Sequence, residues 1–336
     1  MNTGVGPLAL HLPPLLRRAC RLTIENTYLF QLEENRGTIM NKQEPGKRFV
    51  PALAVPEGAG VTVYRTIGTP ALRNLDPFLL LDYFGSDNPD EYIAGFPSHP
   101  HRGFSTFTYM VDGYSEHRDS MGNTGNLGPG SAQLMKAASG IIHSEMPQQE
   151  NGLLRGFQLW INLPAAHKMD HPEYQEYKAG EFPVIDKYGY RLKLLLGSYE
   201  SVKAPIKDAI TCVQYYDVEV KPGNGFADRL PPGHNAFLYI FEGSGELNGH
   251  LLEKHTLVAF TEGDNSIDFV AGNEGARFIV SSGKPIGEPV VQYGPFVMNT
   301  REEINQAMRD FKLDNFVRHK ARMRRDKSKG SSDAEI

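Results

Sequence analysis

Short strand-like stretches, some alternating apolar and polar and some continuously apolar, recur along the chain between turn signals, and one stretch near its end shows the three-and-four spacing of a helix. Residues 61–66 alternate, residues 78–82 form an apolar run, and residues 104–111 are rich in β-formers. Asp112-Gly113 is a hairpin signal. Gly128-Pro-Gly130 turns the chain into a further strand over 131–137, and residues 153–163 form another that carries the single tryptophan, Trp160. A polar, aromatic connector over 164–177 precedes a second block of strands at 190–196, 211–220, 236–241, 257–261, 265–270 and 277–281. Pro222-Gly223, Gly243-Ser-Gly245 and Gly263-Asp264 separate these strands as turns. Helical spacing appears at 302–311, with Asn299-Thr300 ahead of it as a cap. The pattern predicts an all-β protein of two antiparallel barrels and a short C-terminal helix.

Composition agrees with this picture and sets its limits. A chain of 336 residues holds one large or two medium domains, and its 34 glycines and 23 prolines suit turns better than helices. The divisions expected are an N-terminal extension over 1–45, a first barrel over 46–175, a second over 176–312 with its helix, and a basic flexible tail over 313–336. In the extension no acid precedes Glu25, and Arg17, Arg18 and Arg21 follow an apolar stretch broken by Pro13 and Pro14. Those prolines oppose an amphipathic targeting helix, so the segment reads as dispensable or as a start assigned upstream of Met40. Cys20 and Cys212 are too few for a disulfide framework or a thiolate metal site, which fits a reducing compartment, cytoplasmic or, in a eukaryote, nuclear. No apolar run has membrane-spanning length, and a net charge of −5 gives no reason to expect nucleic acid as a direct partner. The cluster Arg318, Lys320, Arg322, Arg324, Arg325, Lys327 and Lys329 in the tail reads as a solvated end.

The candidate chemistry lies in the first barrel. Two pairs of metal-type ligands, His99-x-His101 and His143-x-Glu145, fall in a strand-rich stretch punctuated by glycine turns. Side chains two apart on a strand share a face, so each pair can aim both groups inward and two neighbouring strands can close a four-ligand site. A single histidine on a strand is more often a core or surface residue than a ligand; two such pairs in one compact segment are far less easily accidental. Three imidazoles and a carboxylate suit Fe, Mn, Co, Ni, Cu or Zn rather than Mg or Ca. His234, His250 and His255 in the second barrel lack any such spacing, and that barrel is expected to hold no metal.

Longer motifs surround the pairs. His99-Pro-His-Arg-Gly-Phe104, Gly128-Pro-Gly130 and Gly140-Ile-Ile-His-Ser-Glu-Met-Pro147 closely resemble the pirin family of the cupin superfamily. So do Asn74-Leu-Asp-Pro-Phe78, Gly95-Phe-Pro97, Phe157-Gln-Leu-Trp-Ile-Asn-Leu163 and Gly294-Pro-Phe-Val-Met-Asn-Thr300, in order from about residue 60 to about residue 311. The resemblance implies a bicupin of jelly-roll barrels. It also implies one divalent metal, usually iron, on His99, His101, His143 and Glu145. Ser105 stands where many cupins carry a glutamate, a residue that pirins do not use as a ligand. Leu134 replaces a tryptophan common in the family, and Lys136 and Ser139 replace Thr and Arg; these three are expected near the pocket mouth, where they would alter substrate choice.

Two functions follow from the resemblance. As an enzyme the protein would be similar to pirin-like quercetin 2,3-dioxygenases, opening the heterocycle of a flavonol with O2 and releasing CO, with Glu145 as ligand and proton shuttle. As a binding module it would be similar to pirins that act as metal- and redox-sensing co-regulators of a transcription factor or a metabolic enzyme. His101-Arg102 and a turn over Glu116-His-Arg-Asp119 are then the expected charged surface beside the metal.

Overall fold

The computed structural model describes residues 43–44, 46–149, 151–261 and 266–323, and the strand counts below refer to these. The expectations for residues 1–42 and for the basic cluster from Arg324 onward lie outside them. The protein is all-β with one α-helix among the described residues. Its principal strands in chain order are β1 (Lys47–Pro51), β2 (Val61–Arg65), β3 (Phe78–Ser86), β4 (Phe96–His101), β5 (Phe104–Asp112), β6 (Ser115–Asp119), β7 (Ala132–Lys136), β8 (Ile141–Pro147), β9 (Leu154–Asn162) and β10 (Glu173–Tyr177) in the first half. The second half has β11 (Tyr190–Leu196), β12 (Gln214–Val220), β13 (Asn235–Leu247), β14 (Thr256–Phe260) and β15 (Ser266–Gly283), followed by α1 (Arg301–Lys312). Thr300 caps α1 in a reciprocal capping box with Glu303.

In the first half an eight-stranded sheet, with β10, β7, β5, β9, β3 and β2 as consecutive neighbours, belongs with a four-stranded sheet containing β4, β8 and β6. The arrangement is a jelly roll of two sheets rather than one closed sheet. β5 and β6 lie in different sheets, so Asp112-Gly113 turns the chain between sheets instead of closing a hairpin. The second half is built on a ten-stranded sheet around an apolar core, with two further two-stranded ribbons. There the two strands expected at 265–270 and 277–281 are a single long strand, β15, whose pairing with β13 shifts register at Gly243–Gly245. Such irregularities let a long strand bend around a core.

Strand alternation decides where the site can lie. Leu81 and Tyr83 of β3, Phe107 and Tyr109 of β5, and Phe157 and Leu159 of β9 point to one side. There they pack with Tyr215, Phe237, Tyr239, Leu257 and Ile279 of the second half in one apolar layer that joins the halves. Their neighbours Thr106, Thr108, Gln158 and Trp160 therefore face the interior of the first jelly roll.

The termini cross between the halves, so a boundary drawn only near residue 175 misses two exchanges. β1 pairs with β14 of the second half. In return the C-terminal segment packs on the first half. Arg102 bridges to Phe296 and bonds the carbonyl of the buried Phe316, and Arg322–Met323 adds in parallel to Glu173–Tyr174. Residues 313–323 are thus packed rather than a free tail. Gly103 makes the first of these contacts possible: its φ is +92°, and a Cβ there would lie 1.9 Å from the Val297 carbonyl oxygen.

Candidate metal centre

β4 and β8 are antiparallel neighbours in which His99 lies directly opposite His143 and His101 opposite Ile141. The strand period then turns His99, His101 and His143 to the same interior face. Their rings lie 4.4–4.9 Å apart between centroids, and one ring nitrogen from each falls within 4.8 Å of the others. A register shift follows His143, and Glu145 comes opposite Phe96 on one side and His117 of β6 on the other. Glu145 thereby groups with His143 and His117 rather than with His99 and His101. The structure brings the three predicted histidines together and sets the predicted carboxylate beside one of them.

Hydrogen bonds orient the ring nitrogens. His99 Nδ1 donates to the Pro97 carbonyl at 2.8 Å, which leaves its Nε2 as a lone pair 2.9 Å from His101 Nε2. Two such nitrogens at that distance repel unless a proton or a cation lies between them. His143 Nε2 is buried with no partner, and His101 Nδ1 makes no hydrogen bond of ordinary geometry, the Pro295 carbonyl offering it weak support. A buried polar atom without a partner is costly, and a trio of neutral imidazoles with an inward orphan nitrogen fits a divalent transition metal. Burial lowers the pKa of all three, and at His101 and His143 the neighbouring histidines lower it further. The rings are therefore neutral and their lone pairs available near pH 7.

Glu145 is held differently. Gln158 Nε2 donates to its Oε2 at 3.0 Å and Thr108 Oγ1 lies 3.2 Å from its Oε1. Burial lifts its pKa to about 7 against the lowering effect of these two partners. Trp160 and Phe104 wall the site, with the indole edge-on to His101 at 5.2 Å and 4.3 Å from the Phe104 ring.

Several residues stand elsewhere than expected. Leu134 is part of the apolar layer between the halves, because it pairs with Phe107 and so shares that residue's face of the sheet. Lys136, on the same face, bonds Asp170 at 2.8 Å, and Ser139 is fully buried with its carbonyl accepting from Arg102. Leu134 and Lys136 therefore face away from the site. Arg102 is 2% exposed rather than surface charge. It bonds Asp310 of α1 at 2.6 Å and the Ser139 and Phe316 carbonyls, and it stacks on the Phe316 ring. The segment around His117 is a strand rather than a turn, and His117 is buried against His143 while Glu116 and Arg118 pair with each other outside. The alternation Ser115-x-His117-x-Asp119 was the available signal for it. Thr108 and Gln158 were not anticipated either. In the second half His255 stacks on Tyr64, His250 lies against Phe49 and His234 near Ser282, three separate settings. Cys212 is a free, exposed cysteine. No helix of the described residues is long and apolar enough to cross a membrane.

Comparison with known proteins covers both halves. The family model described as Pirin matches residues 60–161, and that of the Pirin C-terminal cupin domain matches residues 215–317. A protein of Pseudomonas aeruginosa named "Putative quercetin 2,3-dioxygenase" is 46% identical over 265 residues, 76% of this chain and 92% of that one. Human "Pirin" is 40% identical over 261 residues, covering 76% of this chain and 88% of its own. Among solved structures, a quercetin 2,3-dioxygenase of Acinetobacter baumannii superposes with a TM-score of 0.75 at 32% identity, over 83% of this chain and 99% of that one.

Proposed function

Because the chain belongs to the pirin family through both of its halves, we propose that it is a metal-dependent dioxygenase that opens the heterocycle of a quercetin-type flavonol. Both oxygen atoms of O2 are retained in the products, and one ring carbon leaves as CO. The observation that carries this reading is the trio of buried, neutral imidazoles on β4 and β8. His99, His101 and His143 would hold one divalent ion, Fe(II) in the first instance with Mn, Ni, Co, Cu or Zn as alternatives, and Glu145 would complete the set. A bound ion would lower the pKa of a coordinated hydroxyl and make the flavonol ring electron-rich toward O2.

The chain's own residues supply the rest. Glu145, whose burial lifts its pKa to about 7 in the metal-free protein, would accept the proton of the flavonol 3-hydroxyl, and its contacts with Gln158 and Thr108 fix its orientation. Trp160, backed by the fully buried Phe104, offers flat apolar surface to a planar polyphenol beside His101 and excludes water from that side. The similarity to proteins named as quercetin 2,3-dioxygenases supports the same substrate class.

A second reading has its own support. Arg102 follows His101 directly and binds α1 and the segment after it, so a change at the site has a physical route to the C-terminal surface. A metal- or redox-sensing regulator of a partner protein would need such a link, and the human relative bears the name Pirin alone.

The test is to load the purified chain anaerobically with Fe(II), add quercetin and O2, and measure CO beside a His101→Ala control. CO from the wild type alone supports the dioxygenase. No CO from protein that holds one metal would leave the regulator as the standing account.

A further inference from the structure

Behind His143, on the side away from His99 and His101, lies a line of four polar groups drawn from three strands. His143 Nδ1 is 3.1 Å from His117 Nδ1, His117 Nε2 is 3.1 Å from Tyr174 Oη, and the Tyr174 hydroxyl is 2.9 Å from Asp119 Oδ2. His143, His117 and Tyr174 are 1–3% exposed. The far end is anchored: the backbone N–H groups of Met121 and Asn123 donate to Asp119 Oδ1 at 2.9 Å, and the Asn123 amide donates to Oδ2 at 2.7 Å.

The direction of every bond follows from that anchor. A carboxylate only accepts, so the single proton of Tyr174 goes to Asp119. The Tyr174 oxygen must then accept from His117, which places the His117 proton on Nε2. Neutral His117 has only that one ring proton, so its Nδ1 is an acceptor and His143 Nδ1 is the donor. His143 is left with its lone pair on Nε2, the buried atom that has no partner of its own.

We propose that His117, Tyr174 and Asp119 form a positioning relay that fixes the tautomer and ring orientation of His143 and so presents its Nε2 to a divalent metal. The inference rests on the metal-centre reading above and names the residues that set one of its ligands. Groups of this kind raise ligand basicity, and their loss weakens metal binding by about 10–100-fold. The relay also links both sheets of the first half, since His117 and Asp119 lie on β6 and Tyr174 on β10. Arg322–Met323 pairs alongside Tyr174, so the C-terminal segment supports its outer end.

The test is a Co(II) titration of the full chain, following stoichiometry and the visible spectrum, with Tyr174→Phe, His117→Phe and His101→Ala. Tyr174→Phe removes one buried hydroxyl and keeps the ring. It should bind one equivalent about 10–100-fold more weakly than the wild type, with a perturbed spectrum. Wild-type affinity in Tyr174→Phe would overturn the relay. Loss of all binding in His117→Phe with none of the effect in Tyr174→Phe would make His117 a ligand and likewise overturn it. Stoichiometric, tight binding by His101→Ala would instead refute the metal centre itself. Long-range 15N–1H correlation on the metal-free wild type reads the relay without any variant. The proton of His143 should be on Nδ1, and finding it on Nε2 would contradict the proposal.

Discussion

The two halves use the same strand alternation and fill their interiors with opposite chemistry. Inside the second half lie Leu192, Leu194, Val218, Leu238, Ile240, Val258, Phe278 and Val280, all fully buried. The corresponding space of the first half holds, beside an apolar cluster that includes Phe84, Met110 and Leu127, four histidines, Glu145, Thr108 and Gln158. Burying polar groups costs free energy unless each finds a partner, and in the first half two ring nitrogens do not. The comparison teaches that the first half gives up packing for a site, while the second half and the apolar layer between them carry the stability that permits it.

The largest stability effect should come from that layer. Phe237 of the second half is fully buried and meets Phe78 of the first edge-on at 5.2 Å. Phe237→Ala should cost about 3–5 kcal/mol in urea unfolding, with loss of the site following loss of the fold. A change under about 1 kcal/mol would show that the halves are independently stable and would break the comparison.

Arg102→Ala comes next, because it removes a buried partner of Asp310 and should cost about 3 kcal/mol. Burial alone would raise the Asp310 pKa, but its bonds to Arg102 and Gln306 and the charge of Arg318 hold it below the usual carboxylate value. A depressed folded pKa means that this contribution is present above about pH 4 and is lost as pH falls through the folded value. Thermal melts of the wild type should therefore fall more steeply below pH 4 than those of Arg102→Ala, and parallel acid limbs would sink the assignment.

Glu145 gives a smaller effect with a definite sign. Its raised pKa, about 7, means that a ligating carboxylate must first lose a proton near neutrality, whereas the three histidines are already neutral there. Metal affinity of the wild type should rise between about pH 6 and pH 8, by up to about tenfold per unit below the pKa. Glu145→Gln should show a shallower rise over that range in a competition assay. Equal slopes would remove Glu145 from the metal's proton balance.

Smallest, and most informative about the contrast itself, is His101→Leu in the metal-free protein. Exchanging a poorly partnered buried imidazole for an apolar side chain should leave stability unchanged or raise it by about 1 kcal/mol. A clear loss would mean that the imidazole is structural and that its burial is not a concession to function.

The candidate site was legible where one rule, the strand period, sufficed. It put His99 with His101 and His143 with Glu145, and turn and cap chemistry located the strands and α1. What stayed hidden depends on pairings far apart in sequence. His117 faces His143 only because β6 lies beside β8, and its charged neighbours Glu116 and Arg118 disguise it. Leu134 was placed near the site because it stands where the family commonly carries a tryptophan, and the sequence does not show which face of a strand buried on both sides it takes; the layer between the halves claims it. Arg102 reads as surface until Asp310, 208 residues away, comes to meet it. The exchanges at the termini escape local pattern for the same reason.

The central claim is that the histidine trio on β4 and β8 holds one metal ion. Its most direct test is an anaerobic Co(II) titration of the metal-free chain, read by visible absorption and by the fluorescence of the lone tryptophan, Trp160, which lies edge-on to His101. The account predicts one equivalent bound, with a change in Trp160 emission, and neither signal in His101→Ala. Undiminished stoichiometric binding in that variant, or no binding by the wild type, would contradict it.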